Sequence, residues 1–447
     1  MDAQIERFYD EDLAHASYAV LSDEEVALID PGRNPQPYYD FAKKNNANII
    51  AVVETHLHAD FVSSHLQIQK EKGAVIYASK FAQAKYPHIT FDQDDVLAVG
   101  NIELKALNTP GHSPDSISIL LVDERDTKRA VFTGDTLFVG DLGRPDLREE
   151  EGDMDTQEKE LARQMYSSTR NVLMKLGKEV EVYPAHGAGS LCGKNISSDL
   201  SSTIGRELEQ NPALQPMDED SFVDFLLDDQ PFIPKYFKHD VSLNRNGADS
   251  FDESLKAVPL VENETFQDSI AIIDARSQQQ FKAGHHAGAI NIAPGGKFET
   301  WLGTIVPPQE SFYLVTEDKE TLKNLLEKTA KIGYEKSIKA AIISPNSATN
   351  EEPELDMGHF KSHKQDYQIL DVRNEPELES GKVFEEAVSI PLPELADRIR
   401  EIDPKIPVVV HCASGYRSAI AASLIKNLLP NIKVYDLGAE VKDFKTS

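Results

Sequence analysis

ETHLHADFVSSH, residues 54–65, follows directly on the apolar run NIIAVV at 48–53. A short apolar run that stops at polar residues reads as a buried strand. His56, His58 and Asp60 then stand on alternate positions just past its end. Three ligand-type side chains at this spacing point to a metal. The next position, where a second metal would want another imidazole, holds the hydrocarbon ring of Phe61. Further ligand types follow other strand-like runs: His112 in TPGHSPDS, Asp135 in FTGDTLF and His186 in YPAHGAGS. Loops at the carboxyl ends of strands are where side chains distant in sequence converge.

Working outward, SYAVLS and EVALIDPG alternate across the turn Asp23-Glu24 and suggest an opening strand pair. AVIYAS, IELKALN, SISILLV, RAVFTGD and EVEVYPAH are further strand candidates. Residues 155–176 place Leu161, Met165, Val172, Leu173 and Leu176 on one helical face. Residues 1–240 therefore read as one α/β unit.

The remainder contains an internal repeat. IIDARSQQQFKAGHHAGAINI at 272–292 aligns with ILDVRNEPELESGKVFEEAVSI at 369–390, so that Asp274 and Arg276 recur as Asp371 and Arg373. FYLVT at 312–316 aligns with VVVHC at 408–412, which puts Thr316 where Cys412 stands. The polar, acidic stretch SPNSATNEEPELD separates the copies. Two related α/β domains follow, residues 251–345 and 358–447, and one of them has lost its thiol.

A chain of 447 residues suits about three domains of roughly 150 residues each. With 46 Lys and Arg against 75 Asp and Glu the formal charge is −29, which disfavours nucleic acid and anionic membranes as partners. MDAQIERFYDED lacks the basic and apolar regions of an export signal, and no run is long enough to span a membrane. Two cysteines, Cys192 and Cys412, cannot build a disulfide framework, so a reducing cytoplasm is expected.

VVVHCASGYRSAIAAS, residues 408–423, reads as a strand ending at Cys412, a small-residue loop, and an Ala-rich helix from about Ser418. Backbone N–H groups of such a loop converge on an anion, and the helix N-terminus adds positive potential. This lowers the thiol pKa and makes a nucleophile of Cys412, with Arg417 as the fixed positive charge. HCASGYRS resembles the active loop of rhodanese sulfurtransferases, and DVRNEPE and GHHAGAIN resemble other signatures of that family. The resemblance implies an active rhodanese domain at 358–447 and an inactive one at 251–345.

The N-terminal unit resembles the metallo-β-lactamase superfamily through THLHADF, TPGHSPDS, GDTLF and PAHG, departing from its motif at Phe61. The resemblance implies an αββα sandwich followed by the two rhodanese-like α/β domains. Phe cannot coordinate a metal, so the site is reduced to one. Two imidazoles and a carboxylate suit non-haem Fe(II), and three imidazoles with water suit zinc; the residues allow both. The chain is similar to persulfide dioxygenase–rhodanese fusions over essentially its whole length, and GDLGRPDL at 140–147 resembles a loop of that branch. This implies one Fe(II) per chain held by His56, His112 and Asp135, with His58, Asp60 and His186 supporting the ligands. The implied reaction consumes a low-molecular-weight persulfide and O2, with sulfite and thiosulfate as products. The fusion family also suggests a homo-oligomer.

The alternative is a glyoxalase II-like thioesterase fused to a thiosulfate sulfurtransferase, a reading that Phe61 disfavours. Arg144 is either a clamp for a substrate carboxylate or a loop salt bridge. Cys192, six residues after His186, is either a thiol at the metal mouth that captures sulfane sulfur or a small buried residue. His15, His88, His239 and His363 have no companion motif and are expected on the surface; His285 and His286 are expected to be structural.

Overall fold

The computed structural model describes residues 3–147, 154–262, 265–344 and 350–444, so part of the polar stretch between the repeats, 345–349, lies outside the described residues. The chain divides into two compact units, Met1–Lys256 with Ala330–Gly333, and Ala257–Thr329 with Tyr334–Ser447.

In the first unit two six-stranded sheets are each assembled in chain order, from Gln4–Asp10 to Ile89–Thr90 and from Val96–Val99 to Ser202–Thr203. Their facing sides bury Val20, Ala27, Val53, Leu104, Ile119, Leu121 and Phe132 in one core. Tyr38, Phe41 and Ile68, from the helices Gln36–Lys44 and His65–Lys72, cover the outer side of the first sheet. Ala162, Met165, Phe222 and Leu226, from the helices Met154–Ser167 and Glu219–Leu227, cover the second. The layers are therefore helix, sheet, sheet, helix, as alternating apolar strands with two buried faces require. Asn48–Val53, Lys128–Gly134 and Glu181–Pro184 each end just before a ligand-type residue.

Two details differ from the periodicity. The helix expected over 155–176 ends at Ser167, widens into a π turn at Ser168–Val172 and tightens to 3-10 at Leu173–Lys175. Hydroxyls cause this: Thr169 donates to the Met165 carbonyl at 2.8 Å, and Ser168 donates outward to the Pro110 carbonyl at 2.7 Å. The first unit also runs past residue 240 to Lys256. Its helix Phe237–Asn246 carries the fully buried Asn244, which is bonded to the loop after the Asn48–Val53 strand.

The second unit holds two sheets of matching order. In the first half Ala289–Asn291, Ala271–Asp274, Phe312–Thr316 and Ile338–Ile343 lie side by side, with Leu260–Val261 added at the edge. In the second half the order is Val388–Ser389, Gln368–Asp371, Val408–His411 and Val434–Asp436. Asp274 pairs in register with Val315 and Asp371 with His411, so Thr316 and Cys412 take equivalent places. Each half buries an Asp-x-Arg ion pair. Arg276 bonds Asp274 at 2.5 Å and the Gly284 carbonyl at 2.8 Å; Arg373 bonds Asp371 at 2.7 Å and the Gly381 carbonyl at 3.1 Å. Among the described residues no helix is long and apolar enough to cross a membrane.

Removing one member of a buried ion pair strands the other, at a cost of about 3–5 kcal/mol. Arg276→Met is expected to lower the stability of the second unit by that amount in urea unfolding. A loss below about 1 kcal/mol contradicts a structural role for the pair.

Candidate functional site

His56, His112 and Asp135 come from three loops at strand ends and form one buried cluster whose donor atoms lie within 4.8 Å of one another. Nε2 of His112 is 3.4 Å and Nε2 of His56 3.9 Å from Oδ2 of Asp135. The other ring nitrogens fix the tautomers. Nδ1 of His112 faces the Arg144 carbonyl at 2.8 Å, and a carbonyl only accepts, so Nδ1 carries the proton. The Thr55 hydroxyl donates to Asp30 at 2.8 Å and so accepts from Nδ1 of His56 at 3.0 Å. His186 repeats the pattern, with Nδ1 on the Ala14 carbonyl at 3.2 Å and Nε2 3.5 Å from Oδ1 of Asp135. The Nε2 atoms of three imidazoles thus converge on a carboxylate, and among the described residues no hydrogen bond of ordinary geometry reaches either Asp135 oxygen.

Backbone geometry holds these loops. Thr55 N–H donates to Asp30 at 2.7 Å, Leu57 N–H to Asp115 at 2.9 Å, and Ile117 N–H to the Thr55 carbonyl at 2.8 Å. Gly111, just before His112, has φ +152° and lies so close to the helix Met154–Ser167 that a Cβ would stand 2.6 Å from Cα of Met165. Asn244 donates to the carbonyls of His58 and Phe61 at 2.9 and 2.8 Å and accepts from Ser63 N–H at 2.8 Å. No motif marks this asparagine in the sequence.

Phe61 is buried against two imidazoles, its ring centre 3.9 Å from that of His15 and 4.3 Å from that of His58. His15 is therefore not a surface residue. Its strand start bridges to His186, and burial, followed by the nearby His186, holds its pKa well below the usual value. His239 and His88 are half-buried, His363 is exposed, and His285 is buried with Nδ1 on the Phe281 carbonyl at 3.0 Å. His58 turns Nε2 to Asp30 at 3.1 Å and Glu54 at 3.6 Å. Burial opposes its charged form, but these carboxylates outweigh it and raise the imidazole to about 9. Asp60, His186 and Cys192 form a second buried group beside Asp135. Burial, then Asp60 and Asp135, push the Cys192 thiol well above its ordinary value and keep it protonated. Arg144 makes a loop salt bridge: its buried guanidinium is held by Asp146 at 2.5 and 2.6 Å and by the carbonyls of Leu191 and Pro231.

In the second unit Cys412 follows the strand Val408–His411, and the helix begins at Tyr416, two residues earlier than expected. Gly415, at φ +107°, turns its N–H onto the Cys412 sulfur at 3.1 Å. A Cβ there would come within 2.9 Å of the Gly438 backbone, so only glycine closes the loop. Arg417 is held by Glu377 through two contacts of 2.5 and 2.7 Å. Thr316, at the equivalent place, points its hydroxyl to the Asp318 carbonyl at 3.3 Å.

Residues 10–186 match the family model described as the metallo-beta-lactamase superfamily, and residues 358–441 match the rhodanese-like domain. A probable hydroxyacylglutathione hydrolase of Schizosaccharomyces pombe is 30% identical over 198 residues, which are 43% of this chain and 72% of that protein. The chain belongs to the metallo-beta-lactamase superfamily. The hydroxyacylglutathione hydrolase GloC of Haemophilus influenzae is 26% identical over 213 residues, covering 43% of this chain and 88% of its own. The crystal structure of a metallo-beta-lactamase from Staphylococcus aureus is 31% identical, with a TM-score of 0.70, over 77% of this chain and 100% of its own. A metallo-beta-lactamase domain followed by a rhodanese-like domain is thus the architecture of this member.

Superfamily members bind metal ions, and the residues here fit one. A cation would satisfy the buried Asp135 carboxylate and the Nε2 atoms of His56 and His112 together, each Nδ1 being already committed. Asp135→Asn is expected to reduce bound metal after dialysis at least tenfold. Gly111→Ala, which removes no ligand, should also reduce it, by displacing the His112 loop from Met165. Full metal occupancy in Gly111→Ala by elemental analysis would contradict the positioning role.

Proposed function

We propose that this protein oxidises a low-molecular-weight persulfide with dioxygen at one Fe(II) held by His56, His112 and Asp135, and converts the resulting sulfite to thiosulfate at Cys412. The observation that carries the reading is Phe61, a buried hydrocarbon where a second metal would need an imidazole, in one chain with a rhodanese-like domain. Both domains then act on sulfane sulfur, and a reducing cytoplasm is the setting that suits the free thiols.

The first reaction balances as R–S–SH + O2 + H2O to R–SH + sulfite + 2 H+. Bound to the three ligands, Fe(II) supplies the centre at which dioxygen and a persulfide sulfur react without a diffusive encounter. The protein holds the imidazoles in the ligating tautomer through Thr55 and the Arg144 carbonyl. Phe61 and His15 fill one flank of the site with packed rings. The protonated His58 keeps to Asp30 and Glu54.

At the second site Cys412 attacks a further persulfide, takes its outer sulfur and releases R–SH. Sulfite then attacks that sulfur: a new S–S bond forms, the bond to Sγ breaks, and its electron pair remains on Cys412 as thiolate. The Gly415 N–H and Arg417 stabilise the anionic sulfur. The sum is two persulfides, O2 and H2O giving thiosulfate, two thiols and two protons.

The names of the hydrolase relatives favour a second reading, a glutathione thioesterase with a sulfurtransferase attached. The loss of a ligand position at Phe61 opposes it. The test is oxygen uptake on adding glutathione persulfide, with products separated. Cys412→Ser should keep the uptake and accumulate sulfite in place of thiosulfate. Thr316→Ala should leave both products unchanged, because a hydroxyl is a far poorer carrier of sulfane sulfur. Thioester hydrolysis without persulfide-dependent oxygen uptake would overturn the proposal.

A further inference from the structure

The aim of the Gly415 N–H at the Cys412 sulfur, 3.1 Å away, depends on what holds the glycine. At φ +107°, with no Cβ to restrain it, a modest rotation of this backbone would carry the N–H off the sulfur. On its other side the Gly415 carbonyl has three donor groups within reach: Ala419 N–H at 3.2 Å, the Ser418 hydroxyl at 3.0 Å and Gln278 Nε2 at 3.1 Å. A hydroxyl carries one proton, and Ser418 has a charged acceptor in Asp436 at a shorter 2.6 Å. The two lone pairs of the carbonyl are then left to one helical N–H and to Gln278. Gln278 belongs to the half without a thiol.

That half fixes Gln278 in turn. It is the first residue of the helix Gln278–Ala283, whose start is closed by reciprocal bonds between Ser277 and Gln280. One turn on, Lys282 pairs with Asp436 at 2.8 Å. Asp436 accepts from Ser418 and, at 2.9 Å, from Gly438 N–H, and Gly438 is the backbone against which Gly415 packs. The Tyr416 hydroxyl donates back to the Ala293 carbonyl at 2.8 Å. The half without a thiol therefore ties the turn that presents Cys412 directly at Gly415 and Tyr416, and at Ser418 through Asp436. Sulfur transfer changes the charge that this turn faces. When sulfite takes the outer sulfur, the electron pair stays on Sγ of Cys412, and a donor already aimed at that atom stabilises it without reorganisation.

We infer that Gln278, supplied by the half without a thiol, is a positioning residue for the Cys412 reaction: it fixes the Gly415 peptide so that the N–H stays on the reacting sulfur. This rests on the sulfur-transfer reading of Cys412 and deepens it. The half that carries Thr316 then contributes to turnover although it has no thiol of its own.

The test uses the full chain and compares Gln278→Met, which keeps the length and removes the donor, with Asn427→Ala. Asn427 Nδ2 donates to the Gly288 carbonyl at 2.8 Å, so the second variant breaks a bond between the same two halves near the far end of the Cys412 helix. Steady-state transfer from thiosulfate to cyanide gives kcat and KM, and hydrogen exchange of residues 412–418 reports how firmly the turn is held. Gln278→Met is expected to lower kcat about fivefold to tenfold with KM within about twofold, as loss of one hydrogen bond acting in the transition state predicts. Exchange across residues 412–418 should quicken about tenfold. Asn427→Ala should move neither, which separates positioning from a general loosening between the halves. Where Gln278→Met fails to fold, Gln278→Glu, equal in shape with an acceptor in place of the donor, is measured instead. Parent-like kcat in the folded variant, or an equal loss in Asn427→Ala, overturns the inference. A parent chain with no transfer activity would instead defeat the sulfur-transfer reading, and exchange would still decide on Gln278: faster exchange at 412–418 supports it, parent-like exchange overturns it.

Discussion

Three imidazoles converging on the buried Asp135 carboxylate are the constraint on which the first unit depends. Its carboxylate is buried, the Nε2 atoms of His56, His112 and His186 face it, and each Nδ1 is committed elsewhere. A charge so placed is costly unless a cation joins it. The surrounding structure fixes that frustration in place. Four strand ends deliver the loops, Asp30 and Asp115 pin their N–H groups, and Gly111 brings one of them against Met165.

Packed rings and further ligand-type groups surround this cluster. Phe61 and His15 pack ring on ring, and Asn244 ties down the backbone carbonyl of Phe61. His58 belongs to a separate buried group with Asp30 and Glu54, and Cys192 to one with Asp60 and His186. Three ligand-like groups therefore lie side by side, and the proposed chemistry uses the one that joins two imidazoles to the Asp135 carboxylate. The second unit repeats the logic at lower charge density. Glycine at 415 lets a backbone N–H reach sulfur, and Glu377 holds Arg417 in place.

Much of this was legible because its signals are local. Alternating apolar runs located the strands from 15 to 134, and ligand types just past strand ends located His56, His112, Asp135 and His186. The repeat was legible because Asp-x-Arg pairs recur at fixed spacing and make the same bonds in both halves. What escaped depends on distance. His15 carries no companion motif and is buried only because its strand meets that of His186. Asn244 acts on a loop about 180 residues upstream, and nothing near it in sequence says so. The sequence leaves Arg144 open between a substrate clamp and a loop salt bridge, because Asp146 is near in sequence but the Leu191 and Pro231 carbonyls that also hold it are not. The helix expected over 155–176 kept its apolar face but lost its regularity to Thr169 and Ser168, whose hydroxyls compete for carbonyls.

Central to the account is that a single metal, iron, occupies the His56–His112–Asp135 cluster, with Phe61 excluding another. Elemental analysis of the full chain, expressed with both iron and zinc supplied and purified without oxygen, addresses this directly. The account predicts one iron per chain and no stoichiometric zinc. Two tightly bound zinc ions per chain would contradict it.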